Sequence, residues 1–162
     1  MDFLYIKTLK TQELLTIIQN IEGFEEAGEA LLELKGRDSQ LALQLGGKII
    51  TDNLGDDYLQ GFAFILLYGI DPEAALKSYY VRKEKPSAKL FIDVCEELES
   101  DFFLDKRPSF LTNTLLEFLT LQYEKLEPAE QRKIEADWEN FRKKFMETQR
   151  KAEREGGFQK KL

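Results

Sequence analysis

The chain has 162 residues, one cysteine, no histidine and a formal net charge of −7. The missing histidines exclude Ser-His-Asp and Cys-His nucleophile arrangements, histidine general bases and every zinc site with an imidazole ligand, and a lone cysteine excludes an internal disulfide. The acidic balance argues against a general nucleic-acid binder, which needs a basic footprint, while 43% hydrophobic and 33% charged residues are the composition of a globular chain.

Leucine occurs 25 times and valine only twice, at Val81 and Val94. That favours helix over sheet, because leucine keeps most of its rotamer freedom in a helix whereas β-branched valine suits a strand. Behind a Thr11 cap, Leu14, Ile17, Ile18 and Ile21 follow the i, i+3, i+4, i+7 spacing of one helical face. Phe24, Ala27, Gly28 and Leu31 repeat it in a second helix, with Glu22, Glu25, Glu26, Glu29 and Glu33 largely off the stripe as an exposed acidic face. Asp38 is placed to cap a third helix carrying Leu41, Leu45 and Ile49. Gly46-Gly47 falls inside that helix, where each glycine costs about 1 kcal/mol relative to alanine. Close approach of a neighbouring helix is the expected compensation.

Asp56 or Asp57 caps a fourth helix from Tyr58 through Leu67 that is apolar nearly all round, hence central, with Gly69 to end it in the left-handed conformation. Asp71-Pro72-Glu73 is the sharpest local signal: a capping aspartate, a proline at the first helical position and a first-turn acid open a fifth helix. It carries Ala75, Leu76, Tyr79 and Tyr80, and adjacent tyrosines cannot share a helical face, so one of them is expected at the surface. Pro86, Pro108 and Pro128 are read, like Pro72, as punctuation of helix starts. The helices that follow them carry Leu90, Phe91, Val94, Leu98 and Phe102, then Leu111, Leu115, Phe118, Leu119 and Gln122, then Ile134, Trp138, Phe141 and Phe145.

The reading is an all-α chain of about eight helices. It is a single domain over 1–155, with Gly156-Gly157 ending the ordered structure and a short flexible tail over 156–162. Residues 23–52, 56–84 and 87–126 are expected to form antiparallel helix pairs stacked as a HEAT-like solenoid, a compact helical bundle being the alternative. No apolar run approaches the roughly 20 residues that span a bilayer, and Met1-Asp2 does not open a signal peptide, so the chain is expected in the cytoplasm. Charge divides unevenly, net −10 over 1–127 and net +3 over 128–162. In the basic end, interleaved acids predict ion pairs such as Glu139–Lys143 and Glu147–Lys151 rather than a phosphate or lipid site.

Carboxylates are the remaining candidates for chemistry. Asp93, Glu97 and Asp101, at i, i+4, i+8 with Glu96 beside them, project from one helical face. Dimetal sites in helical bundles add Glu-x-x-His ligands that this chain lacks, which leaves an all-oxygen magnesium site or, as the expectation here, a solvated or partner-facing surface. Asp52 through Asp57 departs from a calcium loop because Ala63 stands where the twelfth-position glutamate belongs; turn and cap roles account for it. Cys95, near Phe91 and Leu98, is expected in the core. Tyr58, Tyr79, Tyr80 and Trp138 are of the type that anchors protein interfaces, although Trp138 lies on an apolar stripe.

The stretch Asp56-Asp57-Tyr58-Leu59-Gln60-Gly61-Phe62 through Tyr68-Gly69-Ile70-Asp71-Pro72-Glu73-Ala74-Ala75-Leu76 resembles the HEAT-like immunity proteins of bacterial polymorphic-toxin and contact-dependent growth inhibition systems. The likeness of pattern spans about residues 12–125, and the recognisable words lie within 56–76. The resemblance implies a cytosolic protein without catalytic activity or cofactor that binds one cognate toxin domain, often a nuclease with a basic cleft, as a monomer in a 1:1 complex. It carries over no residue roles, because toxin-binding surfaces differ with each toxin. Charge and exposure select Asp52, Asp56, Asp57 and Tyr58 as partner-binding residues, with Tyr80, Asp93 and Glu97 as a second group. Two other classes stay open: a helical adaptor with several weak partners, and a carboxylate–metal enzyme.

Overall fold

The computed structural model describes residues 2–104 and 107–159, and within them the chain is helical, with no β-strand. A short 3₁₀ turn over Leu4–Thr8 precedes eight α-helices: α1 (Thr11–Asn20), α2 (Phe24–Arg37), α3 (Ser39–Thr51), α4 (Asp57–Ile70), α5 (Pro72–Tyr80), α6 (Ala88–Ser100), α7 (Asn113–Lys125) and α8 (Pro128–Gln159). The 3₁₀ turn had no signal in the apolar spacing. The chain divides into two compact units, residues 1–84 and 85–162, described separately below.

Capping chemistry sets most of the boundaries. Asp38 accepts from the Leu41 amide (3.1 Å), Asp56 from Leu59 (2.8 Å), Asp71 from Ala74 (3.1 Å), Ser87 from Leu90 (3.1 Å) and Thr112 from Leu115 (3.2 Å). Each satisfies one of the amides that a helix N-terminus leaves without an intrahelical partner. At α1 the expected Thr11 cap is corrected: Thr11 is already helical and Lys10 holds the cap position, its backbone N–H donating to the Glu13 carboxylate at 2.6 Å. Gly69 does not end α4. It is helical, and the break comes at Asp71, whose extended backbone closes α4 and caps α5. The proline rule holds only in part. Pro72 and Pro128 are the first residues of their helices, but Ser87 and Thr112 intervene as caps after Pro86 and Pro108, which leaves Leu111 buried outside α7.

In the first unit each of α2–α5 packs on its sequence neighbour, and α2 also meets α4 and α3 meets α5. This pattern is compatible with a stack of helical hairpins and with a bundle. Its core combines leucine and isoleucine with Ala27, Ala30, Ala42, Ala63 and Ala75 and with one ring group, Phe64, Tyr68 and Tyr79. Close approach is clearest at the Gly46-Gly47 pair: a Cβ at Gly46 would run into the Leu67 side chain of α4, and one at Gly47 would lie 2.9 Å from Ser78 Oγ of α5. The helix-propensity loss at these positions is exchanged for close packing on two partners. The glutamates of α2 are less free than their spacing implies, since Glu33 pairs with Arg37 at 2.9 Å and Glu26 accepts from the Tyr5 hydroxyl.

In the second unit the expected α6–α7 pair is corrected. The close neighbour of α6 is α8, and α7 also leans on α8. The reason is the aromatic stripe of α8, whose Ile134, Trp138, Phe141 and Phe145 are all buried. Trp138 stacks on Tyr123 of α7 at 5.3 Å and meets Phe91 of α6 edge-on at 5.2 Å, while Phe102 lies 5.4 Å from both Phe141 and Phe145. Aromatic pairs of this geometry contribute about 0.5–1.5 kcal/mol each beyond area burial. At the α7–α8 junction the Gln131 amide donates to the Tyr123, Glu124 and Leu126 carbonyls, satisfying the end of α7. On α8, Glu139 pairs with Arg142 at 3.2 Å rather than with Lys143, and Lys144 pairs with Glu99. The helix does not stop at Gly156-Gly157 but continues to Gln159; residues 160–162 of the expected tail lie outside the described residues.

Candidate functional site

The loop between α3 and α4 changes direction in a few residues. Asn53 (φ 55°) and Gly55 (φ 73°) supply the left-handed backbone this requires. Asparagine tolerates that region better than most residues, and at Gly55 a Cβ would also fall 2.6 Å from Leu59 Cδ2. Asp56 then starts α4. Asp52 and Asp57 stand exposed on either side of the loop, and Tyr58, on the first turn of α4, is 72% exposed. An acidic residue in the first turn of a helix is favoured by the partial positive charge of the N-terminus.

A polar network beneath the loop fixes its shape. Gln60 on α4 is only 2% exposed. Its amide nitrogen donates to Asn53 Oδ1 (3.0 Å) and to the Leu54 carbonyl (3.2 Å), and its Oε1 accepts from Arg82 Nη1 (2.5 Å). The same guanidinium donates to the Ile50 carbonyl at the end of α3 (3.1 Å) and to Asn53 Oδ1 (3.3 Å). Thr51 Oγ1 donates to the Ser78 carbonyl (3.2 Å), so the last turns of α3 and α5 are joined side by side. Tyr79 points into the core, where its ring meets Phe64 edge-on at 6.3 Å, and Tyr80 is 55% exposed. One end of the first unit thereby gathers Asp52, Asp57, Tyr58 and Tyr80. Between Lys48 and Lys77 the chain has five acidic residues and no lysine or arginine, and the first unit as a whole carries net −6 against −1 for the second.

The sequence-selected residues have different fates. Asp56 belongs to the loop, but its carboxylate is engaged as the cap of α4. Asp93 and Glu97 are on α6 in the second unit, and the expected solvated face is corrected at Asp93. It is 5% exposed, with Lys89 Nζ within 2.6–2.7 Å of both carboxylate oxygens. The lysine side chain, itself exposed, folds one turn along the helix onto an acid whose spacing alone placed it off the apolar stripe, so the buried carboxylate has an ion-pair partner. Glu97 is half-buried, and burial, aided by the nearby carboxylates of Asp101, Asp93 and Glu96, pushes its carboxyl above the ordinary glutamate range. Cys95 is buried, which raises its thiol well above the usual value and leaves it a poor nucleophile. Among the described residues no three His, Cys, Asp or Glu side chains gather where they could hold a metal ion, and no helix is long and apolar enough to cross a membrane.

Arg82, Gln60 and Asn53 were not singled out by sequence reasoning. The available signal was Gln60, an uncharged polar residue inside an otherwise apolar helix, because a buried amide needs hydrogen-bond partners from outside its helix. A groove of about 580 Å³ on the second unit is lined by Asn113, Leu116, Glu117, Thr120, Leu121 and Arg142 and contains none of the selected residues. No protein-family model, curated protein or solved structure matches this chain.

Proposed function

We propose that this protein binds and neutralises a basic protein partner, in the manner of an immunity protein holding a cognate toxin domain, and that the acidic end of the first unit is its binding surface. The observation that carries the reading is the grouping of Asp52 and Asp57, at the two ends of a loop held by internal hydrogen bonds, with exposed Tyr58 on α4 and Tyr80 at the end of α5. Carboxylates at such a surface steer a positively charged partner and speed encounter, whereas tyrosines add contact area at small entropic cost and slow dissociation. The resemblance of residues 56–76 to HEAT-like immunity proteins supports a toxin domain as the partner, and the neighbour-to-neighbour packing of α2–α5 is in keeping with a stacked helical array. Asp93 is not part of the surface we propose, because its carboxylate is buried against Lys89.

The test is capture of partners by the tagged chain, wild type against Asp52→Lys/Asp57→Lys, followed by expression of any retained protein alone and together with this chain. Asp56 is left in place because its loss would uncap α4. One stoichiometric basic protein, toxic when expressed alone, detoxified by co-expression and lost with the double variant, is the expected result. A set of substoichiometric partners indifferent to both substitutions would replace the immunity reading with a helical adaptor.

A further inference from the structure

We infer that Arg82 is a positioning residue for the acidic end, a guanidinium strap that holds the Asp52–Asp57 loop in its presented shape. Its functional meaning rests on the binding reading above; its structural content does not. Arg82 lies just past α5, yet its planar donors reach three groups outside that helix: the Ile50 carbonyl, Gln60 Oε1 and Asn53 Oδ1. Ile50 belongs to the last turn of α3, whose carbonyls lack intrahelical donors and attract a cation. Gln60 passes the constraint on by donating to Asn53 and to the Leu54 carbonyl, so the left-handed residue of the loop is gripped from two elements. The fork geometry matters, because a lysine ammonium is a point charge that does not span such acceptors in fixed directions. Arg82 is half-buried, and that burial lowers its pKa while the nearby Tyr79, Asp57 and Glu84 act in the opposite direction. The cation therefore also offsets negative charge at Asp57, one of the carboxylates it helps to place.

A surface ordered before binding loses less entropy on binding. This gives Arg82 a sign that plain electrostatics does not. Removing a positive charge from the acidic end should strengthen attraction for a cation, and removing exposed Lys83 does only that. Removing Arg82 should weaken binding, because the loop is released.

The experiment compares the full-length wild type with Arg82→Lys, Arg82→Met, Asn53→Gly and Lys83→Met. Asn53→Gly keeps the left-handed backbone and deletes the acceptor, so it isolates the network without forcing a new turn. Amide hydrogen exchange is expected to quicken by about tenfold or more over residues 52–57 in Arg82→Met and Arg82→Lys, and less in Asn53→Gly, with α2 and the middle of α4 unchanged. Unaltered exchange over 52–57, or an equal rise across all of α2–α5, overturns the strap. Binding of an octa-arginine peptide at low salt is expected to weaken several-fold in Arg82→Met and to tighten slightly in Lys83→Met. Arg82→Met binding as tightly as Lys83→Met overturns positioning in favour of simple charge. Octa-arginine binding that ignores Asp52→Lys/Asp57→Lys would count against the surface reading alone, and hydrogen exchange would still decide the strap.

Discussion

The two units solve helix packing by opposite means. In the first, alanines and the Gly46-Gly47 pair let backbones approach, and leucine and isoleucine side chains with a smaller ring group at Phe64, Tyr68 and Tyr79 fill the remaining space. In the second, one long helix carries bulky rings, and Trp138, Phe141 and Phe145 gather Phe91, Phe102 and Tyr123 around them. A small-residue interface fails when something is added. An aromatic one fails when something is taken away. The difference extends to charge: most of the net negative charge is in the first unit, where the closely packed helices present a short, internally held acidic loop.

The largest expected effect tests the aromatic side of the comparison. Phe141→Ala removes a ring that is 1% exposed and contacts both Trp138 and Phe102. A loss of about 3–5 kcal/mol is expected, read in urea by the fluorescence of Trp138, the chain's single tryptophan, which reports on the second unit. A shift below about 1 kcal/mol would show that the ring cluster is not what holds α8.

Paired glycine substitutions sharpen the other side. Gly46→Ala gains helix propensity but drives a methyl group into buried Leu67, and a net destabilisation of about 1 kcal/mol is expected from overpacking. Gly36→Ala, also helical, meets no atom within 4 Å of the new Cβ and should stabilise by up to about 1 kcal/mol. Thermal unfolding of the two variants should move in opposite directions; movement in the same direction would remove close approach as the reason for Gly46.

The smallest effect concerns Glu97. Its folded pKa is raised above the ordinary 4.5, so the folded state holds this proton more tightly than the unfolded chain does. Stability is therefore lost as pH rises from the ordinary glutamate range through the folded value. Glu97→Gln should stabilise by a few tenths of a kcal/mol near neutral pH, since exposure screens much of the penalty, and the gain should vanish below the ordinary value. Urea midpoints across that pH range would show it, and a gain that persists in acid would assign the effect to packing.

Much of this architecture is legible along the chain because helices are local objects. Asp71-Pro72-Glu73 specifies a boundary from three adjacent residues, and 3.6-residue periodicity places Trp138, Phe141 and Phe145 on one face without knowledge of what they meet. The same locality made Gly69 read as a stop, although Asp71 two residues later supplies both the break and the cap. Of the candidate site, exposure of Asp52, Asp57, Tyr58 and one of the two adjacent tyrosines was readable, whereas the burial of Asp93 under Lys89 was not.

By itself, the sequence determined the absence of histidine chemistry through composition, and the all-α class, most of the helix boundaries and the apolar faces through residues within a few turns of one another. Only the tertiary structure decided that α8 rather than α7 packs closely on α6, that Tyr80 and not Tyr79 faces solvent, and that Arg82 reaches Ile50, Asn53 and Gln60. Those choices join residues 15 to 47 positions apart, and the directions of their side chains are set by helices packing together, which no local pattern encodes.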